Sequence, residues 1–292
     1  MIIIKMQGGL GNQLFLYGLY KELLYLGKEV KMDNVAGFEE DQLRDPCLDK
    51  LGISYEIATD NEIRTMRDSF MDPISRIRRK LTGRKNKDYY EPLDGNFDKS
   101  VLEMDDIYLN GYFQSDKYFE DSSVRQQLRK QILSKIDEYL GQGDVADLRQ
   151  EIRNSASVSM HIRRGDYLTP VSKETYGGIC TDEYYSKAME LVRLKNPDAV
   201  FYIFSNDIDW CRTRYKDEEN VRFVNVSGED SDIKEFFLMS ECRHHILANS
   251  SYSFWAAFLN AEGKEGLNIV PSKWTNTRQM KDIYSSWMTK ID

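Results

Sequence analysis

The 292-residue chain is 41% hydrophobic and 30% charged, an ordinary balance for a globular protein with room for two domains and an ample core. Its formal net charge of −8 argues against a general nucleic-acid binder, whose footprint would be basic. Four widely spaced cysteines, Cys47, Cys180, Cys211 and Cys242, contain no C-x-x-C pair and indicate neither a zinc site nor a disulfide framework, so a reducing, cytoplasmic setting is expected.

Residues 1–6 (MIIIKM) read as a buried first strand, too short and too soon followed by glycines to be a signal peptide or a membrane span. The loop Gly8-Gly9-Leu10-Gly11-Asn12-Gln13 follows. Leu14, Phe15, Leu19, Leu23, Leu24 and Leu26 then recur at helical spacing up to Gly27, and a second strand at 29–32 ends on Asp33. This opening of an α/β domain brings backbone N–H groups and a helix N-terminus to one place. Short helices and loops are expected from 43 to 72.

Residues 72–90 carry Arg76, Arg78, Arg79, Lys80, Arg84, Lys85 and Lys87, with Ile74, Ile77 and Leu81 three to four apart. That pattern describes a basic amphipathic helix and a charged loop. It suits a solvated helix packed on its domain, or peripheral contact with an anionic membrane surface or a lipid-linked acceptor at the inner face of a membrane. A strand and turn at 108–115 exits on Gln114, Ser115 and Asp116. A long helix at 122–139 then leads through Gly141-Gln142-Gly143 to another ending near Asn154, where the domains are expected to divide into 1–154 and 155–292.

The second half alternates strands (157–163, 200–205, 221–226, 245–248, 267–270) with helical patterns (182–194, 208–215, 233–242, 253–261), which favours a parallel sheet with right-handed crossovers. A last helix is expected to pack back on the first domain. In the strand at 157–163, Val158, Met160 and Ile162 fall on one face and Ser159, His161 and Arg163 on the other. Arg163-Arg164-Gly165-Asp166 at its exit forms a basic pocket suited to a phosphate. Ser205-Asn206-Asp207 and Asn249-Ser250-Ser251 leave two other strands at the same sheet edge, where open α/β sheets bind ligands. Ser251 and Ser253 open an apolar helix whose positive end suits an anion, so a diphosphate between that helix and Arg163 is expected.

Rival chemistries fit less well. Gly9-x-Gly11, with Asp33 22 residues beyond Gly11, starts like a dinucleotide fingerprint for an oxidoreductase, yet Leu14 stands where the third glycine or alanine belongs. Having only three histidines, His161, His244 and His245, argues against a zinc site, and no G-x-S-x-G elbow occurs. Asp207-x-Asp209 would suit a divalent ion in a metal-dependent sugar transferase, but Arg163 already supplies charge for a diphosphate and Asp209 fits the first turn of the next helix. The Arg164-Gly165-Asp166 tripeptide is too short to signal adhesion.

With GGLGNQLF at 8–15, GYFQS at 111–115, HIRRGDY at 161–167, FSND at 204–207, and LMSEC through ANSSYSFWAA at 238–257, the chain resembles the α-1,2-fucosyltransferases of glycosyltransferase family 11 over nearly its whole length. The resemblance implies a GT-B-like α/β fold of two Rossmann-type domains with a cleft between them. It implies GDP-L-fucose as donor, no metal or other cofactor, and inverting transfer to the 2-hydroxyl of a terminal β-galactoside on an oligosaccharide or lipid-linked glycan. Arg163, beside His161, matches the arginine that grips the donor diphosphate. Asn12 matches the asparagine near the fucose and phosphate, and 249–253 match the loop that holds the nucleotide. Gly9, Gly11, Gln13, Arg164, Ser205, Asn206 and Asp207 join the donor-binding candidates. Where the family usually has an aspartate to read guanine, this chain has Glu235, with Asp232 one turn earlier. The general base is not carried over by a motif, and Asp166, Glu174 and Asp116 are its candidates in that order. A sugar-nucleotide-binding or lectin-like module without turnover is the non-enzymatic alternative.

Overall fold

The computed structural model describes residues 1–261 and 266–292 and divides into two compact units, residues 1–131 and 132–292. Unit 1 contains β1 (Ile2–Lys5), α1 (Leu10–Tyr25), β2 (Val30–Asp33), α2 (Ala36–Glu40), α3 (Asp60–Met66), α4 (Pro73–Thr82), β3 (Asp88–Tyr90), β4 (Ile107–Asn110) and most of α5 (Ser122–Leu133). Its four strands are parallel in the order β2-β1-β4-β3. Ile2, Ile3 and Ile4 are inaccessible on both sides of β1, as expected of a central strand in a parallel sheet. Leu14, Phe15, Leu16, Leu19 and Leu23 are all inaccessible too, so α1 is a core helix and not an amphipathic surface one. The neighbours β1 and β4 leave the sheet side by side, one into the glycine loop and the other into Gly111.

Unit 2 contains α6 (Ile136–Leu140), α7 (Asp144–Asn154), β5 (Ala156–Ile162), α8 (Pro170–Tyr176), α9 (Asp182–Lys195), β6 (Ala199–Ser205), α10 (Ile208–Arg214), β7 (Val221–Phe223), α11 (Ser231–Glu241), β8 (His244–Ile246), α12 (Ser251–Ala261), β9 (Asn268–Pro271) and β10 (Thr289–Ile291). All six strands are parallel in the order β7-β6-β5-β8-β9-β10. This is the doubly wound dinucleotide-fold order, and its direction reverses between β5 and β8. The expectation of a GT-B-like α/β chain with two Rossmann-type domains therefore holds at the level of the units.

Several boundaries differ from those expected. The single helix at 122–139 is broken after Leu133 into α5 and α6. The units divide at 131/132, inside the last turn of α5, and not at 154/155. The reason is packing and charge: α6 and α7 lie on α11, where the nearly buried Arg149 reaches Asp137 at 2.7 Å and Glu241 at 3.0 Å. Arg153 holds the other oxygen of Glu241 at 2.5 Å. The expected last helix is instead a strand. Residues 289–291 form β10, paired with β9 from Thr289 opposite Ile269 to Ile291 opposite Pro271. Too few residues lie there to show a period, and a three-residue edge strand is recognised only through its partner. Similarly, β3 lies in the stretch read as a charged loop and joins the sheet beside β4.

Gly18 marks the closest approach of α1 to the turn at 116–119. A Cβ there would meet the Phe119 ring at 2.5 Å, and Phe119 is fully buried. Gly18→Ala would ordinarily gain up to ~1 kcal/mol of helix propensity. Overpacking a rigid core ring costs about 1–3 kcal/mol, so the variant is expected to be net destabilised. Denaturant titration checks this, and a Gly18→Ala protein as stable as the wild type would mean that α1 and Phe119 can separate at no cost.

Candidate active site

At the exit of β5, the Arg163 guanidinium donates through Nη2 to Asp166 Oδ2 at 2.8 Å. Two residues separate them, and a 3-10 turn at 165–168 brings the carboxylate back to the arginine. Arg164, next in sequence, is differently engaged. Its guanidinium lies 3.7 Å from the Trp210 ring centroid and pairs with Asp207 at 3.1 Å, while its backbone N–H donates to Asn206 Oδ1 at 2.9 Å. A Cβ at Gly165 would stand 2.4 Å from Asn206 Nδ2, so any larger residue there would push the Asn206 side chain aside. Asp207 also caps α10 by accepting from the Trp210 N–H, and its own N–H donates to Ser205 Oγ at 3.0 Å. The predicted exits of β5 and β6 thus come together, with Arg164, Ser205, Asn206 and Asp207 bracing one another and Arg163 paired with Asp166 beside the Tyr167 ring.

The exit of β8 meets that of β5 through the Tyr167 hydroxyl, which donates to the Asn249 carbonyl at 2.9 Å. The side chain of Asn249, expected to hold nucleotide, is buried and structural. Its Nδ2 donates to the carbonyls of Trp274 at 3.0 Å and Tyr176 at 3.4 Å, and its Oδ1 accepts from the Cys180 thiol. Ser253 is likewise turned inward, its hydroxyl donating to the Ser250 carbonyl at 3.1 Å. What this edge offers an anion is the positive end of α12 at its first turn, although the Ser250 N–H already donates to the Ala248 carbonyl at 2.8 Å. Beneath Arg163, a cavity of about 240 Å³ is lined by Tyr167, Tyr176, Cys180, Trp210 and Asn249 among others. Ligand pockets usually measure ~300–1,000 Å³, so this chamber takes a fragment rather than a sugar nucleotide.

His161 does not contribute charge. Burial pushes its imidazole down to about 3, the Arg163 guanidinium adds to that, and Asp166 only partly opposes it. Its Nδ1 is buried with no partner, so the neutral ring has one unanswered polar atom. The ring lies 5.6 Å from that of Tyr252, which also packs on Phe236 and donates its hydroxyl to the Asp232 carbonyl. Glu235, the expected guanine reader, is half-buried on α11, and its Oε1 accepts from the Val226 N–H at 3.0 Å. Burial pushes its carboxyl up to about 7; the Val226 N–H opposes this and Asp232 adds to it. Asp232 is exposed. Tyr252 links this region to His161, and its position inside ANSSYSFWAA was the only signal that could have found it.

In unit 1 the glycine loop opens α1 with Gly9 as the cap residue and Gly11 buried within the first turn. Gln13 is inaccessible and fully engaged: Nε2 donates to the carbonyls of Gly8 and Asp45, and Oε1 accepts from the Cys47 N–H at 2.9 Å. It therefore clamps the loop and does not meet a ligand. Asn12 accepts from Gln114 at 2.6 Å, bridging the loops after β1 and β4, and Glu91 fixes the latter by accepting from the N–H groups of Tyr112 and Phe113. Arg44, missed in the sequence, lies about 3.8 Å from where a Gly9 Cβ would stand. No periodicity marks it, because it belongs to an irregular loop.

The remaining carboxylates sort by their partners. Asp33 Oδ1 accepts from the N–H groups of Val35 and Ala36 and Oδ2 from the Tyr108 hydroxyl, which removes it as a ribose ligand. Asp116 is buried and paired with Arg125 at 3.1 Å, and Asp166 holds Arg163, whereas Glu174 is exposed on α8. Asp209 is paired with Arg212 at 3.1 Å, so both aspartates of the D-x-D have ion-pair partners.

The chain matches the family description Glycosyl transferase family 11 over residues 76–290, which includes every motif named above except the glycine loop. It is 30% identical to an alpha-1,2-colitosyltransferase of Escherichia coli, over 97% of this chain and 95% of that protein. It is 29% identical to the Escherichia coli O-antigen biosynthesis glycosyltransferase WbnK, over 97% of this chain and 98% of that protein. A 112-residue stretch is 33% identical to galactoside alpha-(1,2)-fucosyltransferase 1 of Saimiri boliviensis boliviensis, covering 38% of this chain and 31% of that protein.

The raised carboxyl of Glu235 sets a pH dependence. Its folded value near 7 exceeds the ordinary 4.5, so its contribution to stability is complete below about 4.5 and is lost as pH rises through 7. Between pH 5 and 8 the melting temperature of the ligand-free protein is expected to fall more steeply than that of Glu235→Gln. Parallel curves for the two proteins would show that Glu235 ionises without strain.

Proposed function

The chain belongs to glycosyltransferase family 11, and from that premise we propose that it transfers L-fucose from GDP-β-L-fucose to the 2-hydroxyl of a terminal β-galactoside, with inversion to an α-1,2 link. The observation that carries this reading is the Arg163 guanidinium, held by Asp166 at the reversal point of the sheet and flanked by the N-terminus of α12. As the bond from fucose C1 to the β-phosphate oxygen breaks, its electron pair stays on the phosphate, and positive charge develops on the sugar ring. A planar guanidinium aimed at that phosphate, together with helix N–H groups, holds it more strongly as its charge grows, which lowers the barrier. The acceptor 2-hydroxyl attacks C1 from the opposite face and gives its proton to a carboxylate, directly or through water.

Asp166 is assigned to positioning Arg163, which leaves Glu174 as the base candidate not tied up in an ion pair. In this reading half-buried Glu235 accepts from the guanine N–H edge, while buried, neutral His161 backs the site through its packing on Tyr252. The reaction needs no metal, since Arg163 and α12 answer the diphosphate, and a cytoplasmic setting agrees with four free thiols. The acceptor is a galactose-terminated oligosaccharide or lipid-linked glycan. Colitose, for which the Escherichia coli relative is named, is L-fucose without its 3-hydroxyl. Donor choice therefore turns on how that hydroxyl is met.

Incubation with GDP-fucose or GDP-colitose and a soluble β-galactoside tests the reading: GDP release with an α-1,2-linked product supports it, and donor binding without release would make the protein a sugar-nucleotide-binding module. Arg163→Lys is expected to lose about 10²- to 10³-fold in turnover, because one ammonium cannot reproduce a guanidinium fork on two phosphate oxygens. Wild-type turnover in a folded Arg163→Lys protein would remove Arg163 from the mechanism. Saturating chelator should leave the rate within about twofold, far less than the loss of a Lewis acid worth several kcal/mol. Abolition by chelator with rescue by manganese would point instead to Asp207 and Asp209.

A further inference from the structure

We propose that α4 and the loop after it dock the protein on an anionic lipid surface. The inference rests on unit 1 alone and stands whichever sugar is transferred. Asp72 caps α4 by accepting from the Ser75 N–H at 2.9 Å, Pro73 opens it, and Gly83 at φ +78° ends it. Within these ten residues Ile74, Ile77 and Leu81 form one stripe at i, i+3 and i+7. A surface helix normally turns such a stripe to the core.

Here the helix is turned the other way. Its polar side faces inward, where Arg78 and Arg79 both pair with the buried Asp68, and Arg79 also donates to the carbonyls of Asp68 and Phe70. The apolar stripe faces outward: Ile74 is 81% exposed, Ile77 60% and Leu81 79%, with Met71 at 68% just before the helix. No residue of α4 is buried. The Asp68 anchor fixes this orientation, since rotating the stripe inward would break two ion pairs to one carboxylate.

Charge selects the occupant. Residues 72–90 hold seven Lys and Arg against Asp72 and Asp88, in a chain whose net charge is −8. Arg76, Lys80, Arg84 and Lys85 are exposed around the stripe. Two copies meeting through this face would bring two such cation sets together, which disfavours self-association. An anionic bilayer meets both features: the apolar side chains enter the headgroup boundary, and the cations settle among lipid phosphates.

Sedimentation of the whole 292-residue protein with vesicles tests this. Binding is expected to phosphatidylglycerol mixed with phosphatidylcholine, to weaken with salt, and to be far weaker to phosphatidylcholine alone. Ile74→Glu with Ile77→Glu should abolish it. Lys80→Gln with Lys85→Gln should lower partitioning about fivefold for each cation removed. Both double variants should keep wild-type turnover on a soluble acceptor, because α4 contributes nothing to the sites above. The proposal is overturned if the wild type ignores phosphatidylglycerol, if binding survives Ile74→Glu with Ile77→Glu, or if sedimentation velocity shows a soluble dimer that this pair dissociates.

Discussion

β5 is covered on both faces, and the chemistry of unit 2 follows from that. Ser157, Ser159 and His161 are as inaccessible as Val158, Met160 and Ile162, so no side chain of the strand past Ala156 is free to meet water or a ligand. Every polar group inside the strand must find its partner within the sheet. Ser159 does so at 2.7 Å from His245 Nδ1, whereas His161 keeps one nitrogen unanswered and stays neutral. Arg163 is the residue after the strand ends, with its side chain 22% accessible, and a 3-10 turn returns Asp166 to hold it. A permanent cation at the edge of an apolar sheet is thereby aimed without a long flexible reach.

The loops around Arg163 are cross-braced before any ligand arrives. Tyr167 ties the β5 exit to the β8 exit, Asn249 ties the latter to Tyr176 and Trp274, and the Asn276 N–H donates to the Thr175 carbonyl at 2.7 Å. Arg164 stacks on Trp210 and closes the β6 side. Two adjacent arginines therefore take different partners, Arg163 the carboxylate of Asp166 and Arg164 that of Asp207 together with the Trp210 ring. Such bracing matters for electrostatic stabilisation, because a preorganised donor avoids reorganisation when charge develops. Side chains that look like ligand donors in the sequence, Asn249 and Ser253 above all, are the braces.

Unit 1 repeats this logic with a different set of groups. Its polar loops follow β1 and β4, the strands at the centre of its sheet, and are joined by Asn12 to Gln114 and by Gln7 to the Gly111 carbonyl. Gln13 and Glu91 satisfy backbone groups that the tight turns would otherwise leave unpaired. In both units a buried amide, Gln13 in one and Asn249 in the other, shapes the loop by bonding to its backbone groups.

The strand and helix alternation of residues 157–270, the apolar face of β5, the glycine loop and the polar exits were all legible in the sequence, whereas the burial of the polar face of β5 was not. Each is a local pattern with a period or a turn residue, and the family resemblance rested on the same motifs. Short edge strands such as β3 and β10 were not legible, because three residues carry no period and pairing alone defines them. The place where the units divide was decided by Arg149 and Arg153 meeting Glu241, a contact across about ninety residues. Tertiary structure also decided which polar residues have their hydrogen-bonding capacity filled within the protein. A sequence shows that Asn249, Gln13 and Asp33 can hydrogen-bond, but only the fold shows that their capacity is already filled by neighbouring backbone and side-chain groups. The outward stripe of α4 has the same origin, since its residues dictate an amphipathic helix and the contacts of Arg78 and Arg79 with Asp68 and Phe70 decide which side of it meets the protein.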